Sequence, residues 1–133
     1  MQIKVLSASE GMPVTEFVPS GGFIRRVIHP STVGSKYLNV AMLILKPGEH
    51  HVRHVHTFEE GIIPISGEGE MQGEAEGSWI KLEKLDWKQL KFVYIPPNVP
   101  HGPYRNTGSE DLVVIAVGAP APSGMHEYKI LSK

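Results

Sequence analysis

Residues 48–67 read GEHHVRHVHTFEEGIIPISG and contain four of the seven histidines of the chain. His54 and His56 are separated by one residue. Because residues i and i+2 of a β-strand point to the same face, the two imidazoles should project together. Glu60 follows after a short turn, at the start of an apolar run, and its carboxylate can return to the same cavity. The segment therefore predicts three converging metal ligands.

His101 is the fourth candidate ligand. It ends residues 94–101, YIPPNVPH, where the prolines and Asn98, which tolerates a positive φ, predict a sharp turn. Such a turn would present the imidazole inward. Glu59 could replace Glu60 as the carboxylate ligand only if the preceding turn were one residue tighter, so the spacing favours Glu60.

The chain has no cysteine, which excludes thiolate ligands and disulfides. Three neutral imidazoles and one carboxylate suit one divalent transition metal ion: Fe, Mn, Ni, Co, Cu or Zn. The four ligands would be His54, His56, Glu60 and His101. An octahedral ion held in this way keeps open positions for water, dioxygen or substrate oxygens.

Short apolar runs separated by Gly, Pro, Asn and Ser predict many β-strands joined by turns. The runs are residues 23–28, 37–45, 61–65, 92–95 and 112–117. None requires a helix, so an all-β sandwich or closed barrel is expected. Residues 81–91 fit either a short helix or a strand followed by a turn, and we favour the second. The proline-rich residues 118–124 should wrap over the barrel or lead to a neighbouring subunit.

Two motifs resemble those of the cupin superfamily. The first is matched at every position by Gly48, His54, His56, Glu60 and Gly67. The second is matched by Pro96 and His101, with Asn98 in place of a glycine and Asn106 one residue late. The resemblance implies a double-stranded β-helix, or jelly-roll, barrel that is commonly dimeric, and the four metal ligands already named. It predicts a single cupin domain over residues 1–133, with a core at about 38–117.

Three further residues are candidates for the chemistry. Strand parity places His50 on the ligand face, while His51 would face away unless a bulge intervenes. Arg25 and Arg26 are adjacent in an apolar strand, so one of them could point inward and hold a substrate carboxylate; Arg25 is the candidate. Tyr104 could supply a phenolic acid or hydrogen bond. Phe58, Ile62, Met42 and Phe92 would form an apolar wall of the pocket if they point inward, and ordinary core packing is the favoured alternative for most of them.

The composition and net charge of the chain limit the kinds of partner that it is expected to bind. The chain has 133 residues, 41% of them hydrophobic and 20% charged, as expected for one globular domain. A net charge of −1 with scattered Lys and Arg predicts no nucleic-acid partner. The absence of a signal-like stretch or of a run of about 20 apolar residues predicts a cytoplasmic protein with no membrane partner.

The cupin resemblance leaves the reaction open, since cupins include dioxygenases, isomerases, decarboxylases, cyclases and binding domains. We expect a metal-dependent enzyme, acting as a homodimer on a small organic substrate that chelates the ion. A dioxygenase is the first expectation. The alternatives are an isomerase, cyclase or decarboxylase that uses the ion as a Lewis acid, and a non-catalytic small-ligand-binding protein.

Overall fold

The computed structural model describes residues 2–20 and 22–132. In this part of the chain the backbone forms twelve strands, one short α-helix and two 3-10 turns. The strands are β1 Met12–Val14, β2 Phe23–Ile28, β3 Asn39–Leu45, β4 His50–His51, β5 Arg53–His56, β6 Glu59–Ser66, β7 Glu68–Gln72, β8 Trp79–Glu83, β9 Val93–Ile95, β10 Tyr104–Asn106, β11 Leu112–Ala119 and β12 Tyr128–Ser132. The helix is α1, Pro30–Val33, and the 3-10 turns are Ala8–Glu10 and Met125–Glu127. The all-β prediction is confirmed.

Two antiparallel sheets enclose the core. The larger has the strand order β1-β2-β3-β11-β6-β9, and the smaller has the order β4-β10-β7-β8. Strand β5 pairs with β12, and an antiparallel bridge joins His54 of β5 to His101. Alternate residues of β3, beginning with Asn39, are buried, as the two-residue period of a strand with one inward face requires.

The predicted apolar runs correspond to strands β2, β3, β6, β9 and β11. Strand β8 ends at Glu83, and a turn follows in which the amides of Gln89 and Leu90 donate to the carbonyl oxygen of Asp86. The prediction of a strand and then a turn over residues 81–91 is therefore confirmed. Phe92, expected to line the pocket, is 68% exposed, so that prediction is wrong.

The proline-rich tail returns to its own barrel. The amide of Ala121 donates to the carbonyl oxygen of Tyr37 at 2.7 Å. The chain then forms β12, which places Tyr128 opposite His56 and Ile130 opposite His54. The sequence reasoning missed β12, a strand that covers the one carrying two candidate ligands.

Among the helices of the described residues, none has the length and apolar character needed to cross a membrane.

Gly69 of β7 provides a test of how closely the strands approach. A Cβ built at this position would clash with the carbonyl oxygen of Arg105 and lie 2.6 Å from Leu112 Cδ2. We expect Gly69→Ala to lower the free energy of unfolding by about 1–3 kcal/mol because the packed backbone must shift. Gly61→Ala in β6 is the matched control, since its nearest neighbour would be 4.0 Å away. Urea denaturation of both variants measures this, and equal stabilities would contradict the close approach.

Candidate metal centre

The imidazoles of three histidines converge inside the barrel. One ring nitrogen from each of His54, His56 and His101 lies within 4.8 Å of the others. The side chains are buried, with residue exposures of 4%, 2% and 1%. Backbone pairing brings His101 to β5: its amide donates to the carbonyl oxygen of His54 at 3.0 Å, and the amide of His54 donates back at 2.9 Å.

The predicted turn before His101 is confirmed. Asn98 has a φ of 62°, in the left-handed region that Asn tolerates. Its amide donates to the carbonyl oxygen of His56 at 2.8 Å, which ties the turn to the end of β5. The turn and β5 therefore hold the three imidazoles in one place without a long connecting element.

Backbone carbonyls orient the three rings. Nδ1 of His54 lies 3.0 Å from the carbonyl oxygen of Val52, and Nδ1 of His56 lies 2.9 Å from that of Phe58. Nδ1 of His101 lies 2.9 Å from the carbonyl oxygen of Val99. A carbonyl can only accept, so each Nδ1 carries the proton and each neutral ring presents an Nε2 lone pair. This orientation is typical of imidazoles that bind metal through Nε2.

Glu60 faces the same cavity, whereas Glu59 is exposed and accepts a hydrogen bond from Tyr94 at 3.3 Å. Glu60 Oε1 lies 3.3 Å from Nε2 of His56 and 3.9 Å from Nε2 of His101. With neutral rings these are lone pairs facing a carboxylate, an arrangement that a cation stabilises. Nε2 of His101 is buried and has no hydrogen-bond partner in the described part of the chain. The donor set therefore fits a divalent ion, and the ligand role of all four residues remains a prediction.

Burial keeps the imidazoles of His54 and His101 neutral. Desolvation lowers the pKa of His101 to about 4, and the backbone hydrogen bond from its ring opposes the shift only in part. Desolvation also lowers the pKa of His54 well below its usual value, and the neighbouring histidines lower it further. A neutral imidazole is the form that binds a metal ion, so the site is ready for an ion near neutral pH.

His51, not His50, lines the cavity. Strand pairing breaks at Val52, between β4 and β5, so the alternation of faces is not continuous from His50 to His54. His51 is buried and stacks on Phe17 with ring centroids 5.3 Å apart, while His50 is half-buried and pairs with Arg105 on β10. The expectation that His50 lies on the ligand face is therefore wrong.

Arg26, not Arg25, is the inward arginine. Arg26 lines the cavity and donates to the Tyr128 hydroxyl at 3.3 Å. Arg25 instead donates to the backbone carbonyl oxygens of Ser9 and Gly11, at 3.3 and 3.1 Å. The choice of Arg25 as the residue pointing toward substrate is thus corrected, because neighbouring residues of β2 project to opposite faces.

Tyr104 lines the cavity as anticipated, 2% exposed, with its ring centroid 5.1 Å from that of His51. Burial raises its pKa well above the ordinary value of a phenol, so it keeps its proton near neutral pH. Its catalytic role stays a prediction, whereas His50 and Arg25 do not line the cavity.

The cavity is largely apolar and small. Of the expected wall residues, Ile62 lines it, Phe58 is buried against the ring of His56, and Met42 does not take part. Additional wall residues are Val14, Phe17, Ile24, Leu43, Val114 and Ala116. The cavity volume is about 60 Å³, which suits a short organic molecule better than a large one.

The sequence reasoning also missed several lining residues, among them Phe17, Asn39 and Tyr128. Phe17 lies in a loop, and Tyr128 lies on a strand that was not predicted. Asn39 begins β3 on its inward face, and strand parity with Ala41 and Leu43 was the one available signal for its position.

Comparisons with known proteins agree with this architecture. The model of the Cupin domain family matches residues 41–118, and the chain belongs to the cupin family. The chain is 28% identical over 109 residues to "Polyketide synthase CurC" of Streptomyces cyaneus. That match covers 80% of this chain and only 66% of the relative, so the chain spans slightly less than two thirds of the curated protein.

Solved structures share the fold at low sequence identity. The polyketide cyclase RemF from Streptomyces resistomycificus matches with a TM-score of 0.76 and 13% identity, over 99% of this chain and 87% of that one. A cupin-like protein from Thermotoga maritima gives a TM-score of 0.70 and 20% identity, over 98% and 90%. Oxalate decarboxylase from Bacillus subtilis gives 0.72 and 21%, over 95% and 31%. The double-stranded β-helix prediction is confirmed.

Removing one imidazole should abolish tight metal binding. We expect the wild-type protein to bind about one transition metal ion per chain, and His54→Ala and His101→Ala to bind it at least about tenfold more weakly. His126→Ala is the control, because this exposed histidine lies outside the cavity. Elemental analysis after dialysis measures the stoichiometry. Unchanged metal content in both cavity variants would contradict the site.

The metal-free protein should lose stability as the pH falls from about 7 towards 4. The unfolded chain takes up protons on His51 and His101 near their ordinary pKa of about 6.5, whereas the folded pKa values are about 4. Since the unfolded state binds more protons in this window, each group changes the free energy of unfolding by up to about 1.4 kcal/mol per pH unit. Urea midpoints of the chelated protein measure the slope. His51→Gln should reduce it, and a flat profile would contradict neutral burial.

Proposed function

We propose that this cupin is a metal-dependent enzyme that acts on a short, oxygen-rich organic substrate of the β-dicarbonyl type. The bound ion would serve as a Lewis acid in a cyclisation, isomerisation or decarboxylation. The observation that carries the proposal is the meeting of Glu60 with the Nε2 atoms of His56 and His101 at the wall of an apolar cavity. A ligand set that faces a cavity allows substrate to reach the ion.

The ion, when bound by His54, His56, Glu60 and His101, would polarise a carbonyl oxygen and acidify the carbon beside it. The protein supplies the surroundings. Apolar side chains such as Phe17 and Ile62 limit water at the reacting carbon. The Tyr104 hydroxyl, which keeps its proton, can donate a hydrogen bond to a substrate oxygen.

The relatives support a β-dicarbonyl substrate. The curated relative is named a polyketide synthase, and one structural neighbour is a polyketide cyclase. Polyketide chains are built from repeated β-dicarbonyl units, which chelate divalent ions through two oxygens. The small volume of the cavity favours a short chain over a polycyclic molecule. Oxygenation by an iron-loaded protein, the first expectation from the sequence, is the competing outcome that the experiment below distinguishes.

Single-turnover assays should separate these reactions. The metal-free protein is loaded with zinc or with iron(II) and mixed with a linear triketide acid, with and without dioxygen, and the products are identified by mass spectrometry. We expect the zinc-loaded protein to form, without dioxygen, a product that has lost water or carbon dioxide, or an isomer that separates from the substrate on chromatography. His101→Ala, treated identically, is the control.

Other outcomes have definite meanings. A product that gains oxygen, and that forms only with iron and dioxygen, would replace the Lewis-acid proposal with the dioxygenase. Tight binding of the acid without turnover under every condition would favour a non-catalytic binding protein.

The single domain over residues 1–133, the homodimer and the cytoplasmic location stay predictions.

A further inference from the structure

We propose that Arg26 and Asn39 form a substrate-recognition site on the inner face of the larger sheet, where Arg26 binds a carboxylate and Oδ1 of Asn39 accepts a hydrogen bond from a ligand hydroxyl. The ligand is a β-dicarbonyl compound that carries a carboxylate at one end. This inference rests on the proposed function and names the charge of its substrate. It assigns a binding role to two residues that lie outside the candidate metal ligands.

Arg26 places a positive charge in a mostly apolar cavity. Arg26 is half-buried, lines the cavity and donates one hydrogen bond, to the Tyr128 hydroxyl at 3.3 Å, and its guanidinium carbon lies 6.0 Å from the centre of the Tyr128 ring. Within the described part of the chain it forms no ion pair with a carboxylate. A guanidinium has five N–H donors, so most of its hydrogen-bonding capacity is available to a ligand. The fork of donors matches the two oxygens of a carboxylate.

Asn39 provides an independent observation. Its residue exposure is 5%, it lines the same cavity, and Oδ1 accepts no hydrogen bond from any described residue. A buried amide oxygen without a partner destabilises a fold, because it loses its hydrogen bonds to water on folding. The amide would gain a partner from a ligand hydroxyl, such as the enol form of a β-dicarbonyl compound. Binding of a ligand therefore explains why Asn39 is buried at the cavity wall, whereas the stability of the fold does not.

Strand register places the two residues together. Arg26 of β2 pairs with Ala41 of β3, which is two residues from Asn39, and the register shifts between Arg26 and Ile28; both Arg26 and Asn39 line the same cavity. A single small ligand can contact both.

The same register relates this site to the metal centre. Gly118 of β11 pairs with Asn39 on one side and with Glu60 on the other. Asn39 and Glu60 are thus separated by two strand spacings, roughly 10 Å between backbones. Side chains extend into that interval from both ends, so it suits a short molecule that holds the ion through two oxygens and reaches Arg26 with a carboxylate.

Binding to the metal-free protein tests the inference separately from catalysis. Acetopyruvate and acetylacetone have the same five-carbon dicarbonyl chain, and acetopyruvate carries a carboxylate where acetylacetone has a methyl group. Isothermal titration of chelated protein should show acetopyruvate bound about tenfold to a hundredfold more tightly, as expected for a charge-assisted pair. Because no ion is present, failure of the proposed reaction would not alter this result.

Arg26→Met should remove that preference, and Arg26→Lys should keep part of it. Arg25→Met is the matched control, because Arg25 is the adjacent residue of β2 and binds backbone carbonyls of the N-terminal segment instead. The proposal is overturned if wild type binds both compounds equally, if Arg26→Met keeps the preference, or if Arg25→Met loses it as well.

Asn39→Leu distinguishes a ligand role from a structural one. Leucine is close to asparagine in size and removes the unpaired amide, so we expect equal or higher thermal stability together with weaker binding of acetopyruvate. A structural asparagine would instead lose stability on replacement. Lower stability with unchanged affinity would overturn the assignment of Asn39.

Discussion

The site depends on the backbone pairing of β5 with the turn that ends at His101. Two reciprocal hydrogen bonds join His54 to His101, and a third joins His56 to the turn residue Asn98. These bonds bring the His101 imidazole beside those of His54 and His56, which lie 45 or more residues earlier in the chain. Because carbonyl oxygens take the Nδ1 protons, the rings are orientated by the backbone itself.

The site and the fold have opposing requirements. Buried neutral imidazoles, a carboxylate beside their lone pairs and an unpaired Asn39 amide all reduce the stability of the metal-free barrel. The strongly apolar core around Leu45, Leu112 and Val114 offsets this cost, since each of these residues is 0% exposed. A bound ion or ligand would relieve part of the cost, which is a physical reason for such groups to be grouped in one cavity.

Sequence reasoning succeeded where the relevant information is local. The spacing of His54 and His56, the turn at Asn98 and the apolar runs each depend on residues close together in the chain. It failed for His50, because strand pairing breaks at Val52 and the alternation of faces is not continuous from His50 to His54. It also failed for Arg25, because the sequence does not show which of two adjacent strand residues faces the cavity. Both errors exchange adjacent residues, because a shift of one residue moves a strand side chain to the other face.

The sequence by itself determined the family, the all-β class and which residues could meet a metal ion, because motif spacing and strand periodicity are local properties. Only the tertiary structure decided what surrounds them. The pairing of β12 with β5 brings Tyr128 to the cavity, and the register of β2 and β3 places Arg26 beside Asn39. Such contacts between distant segments depend on how the sheets close around the core, and no single stretch of the chain encodes that closure.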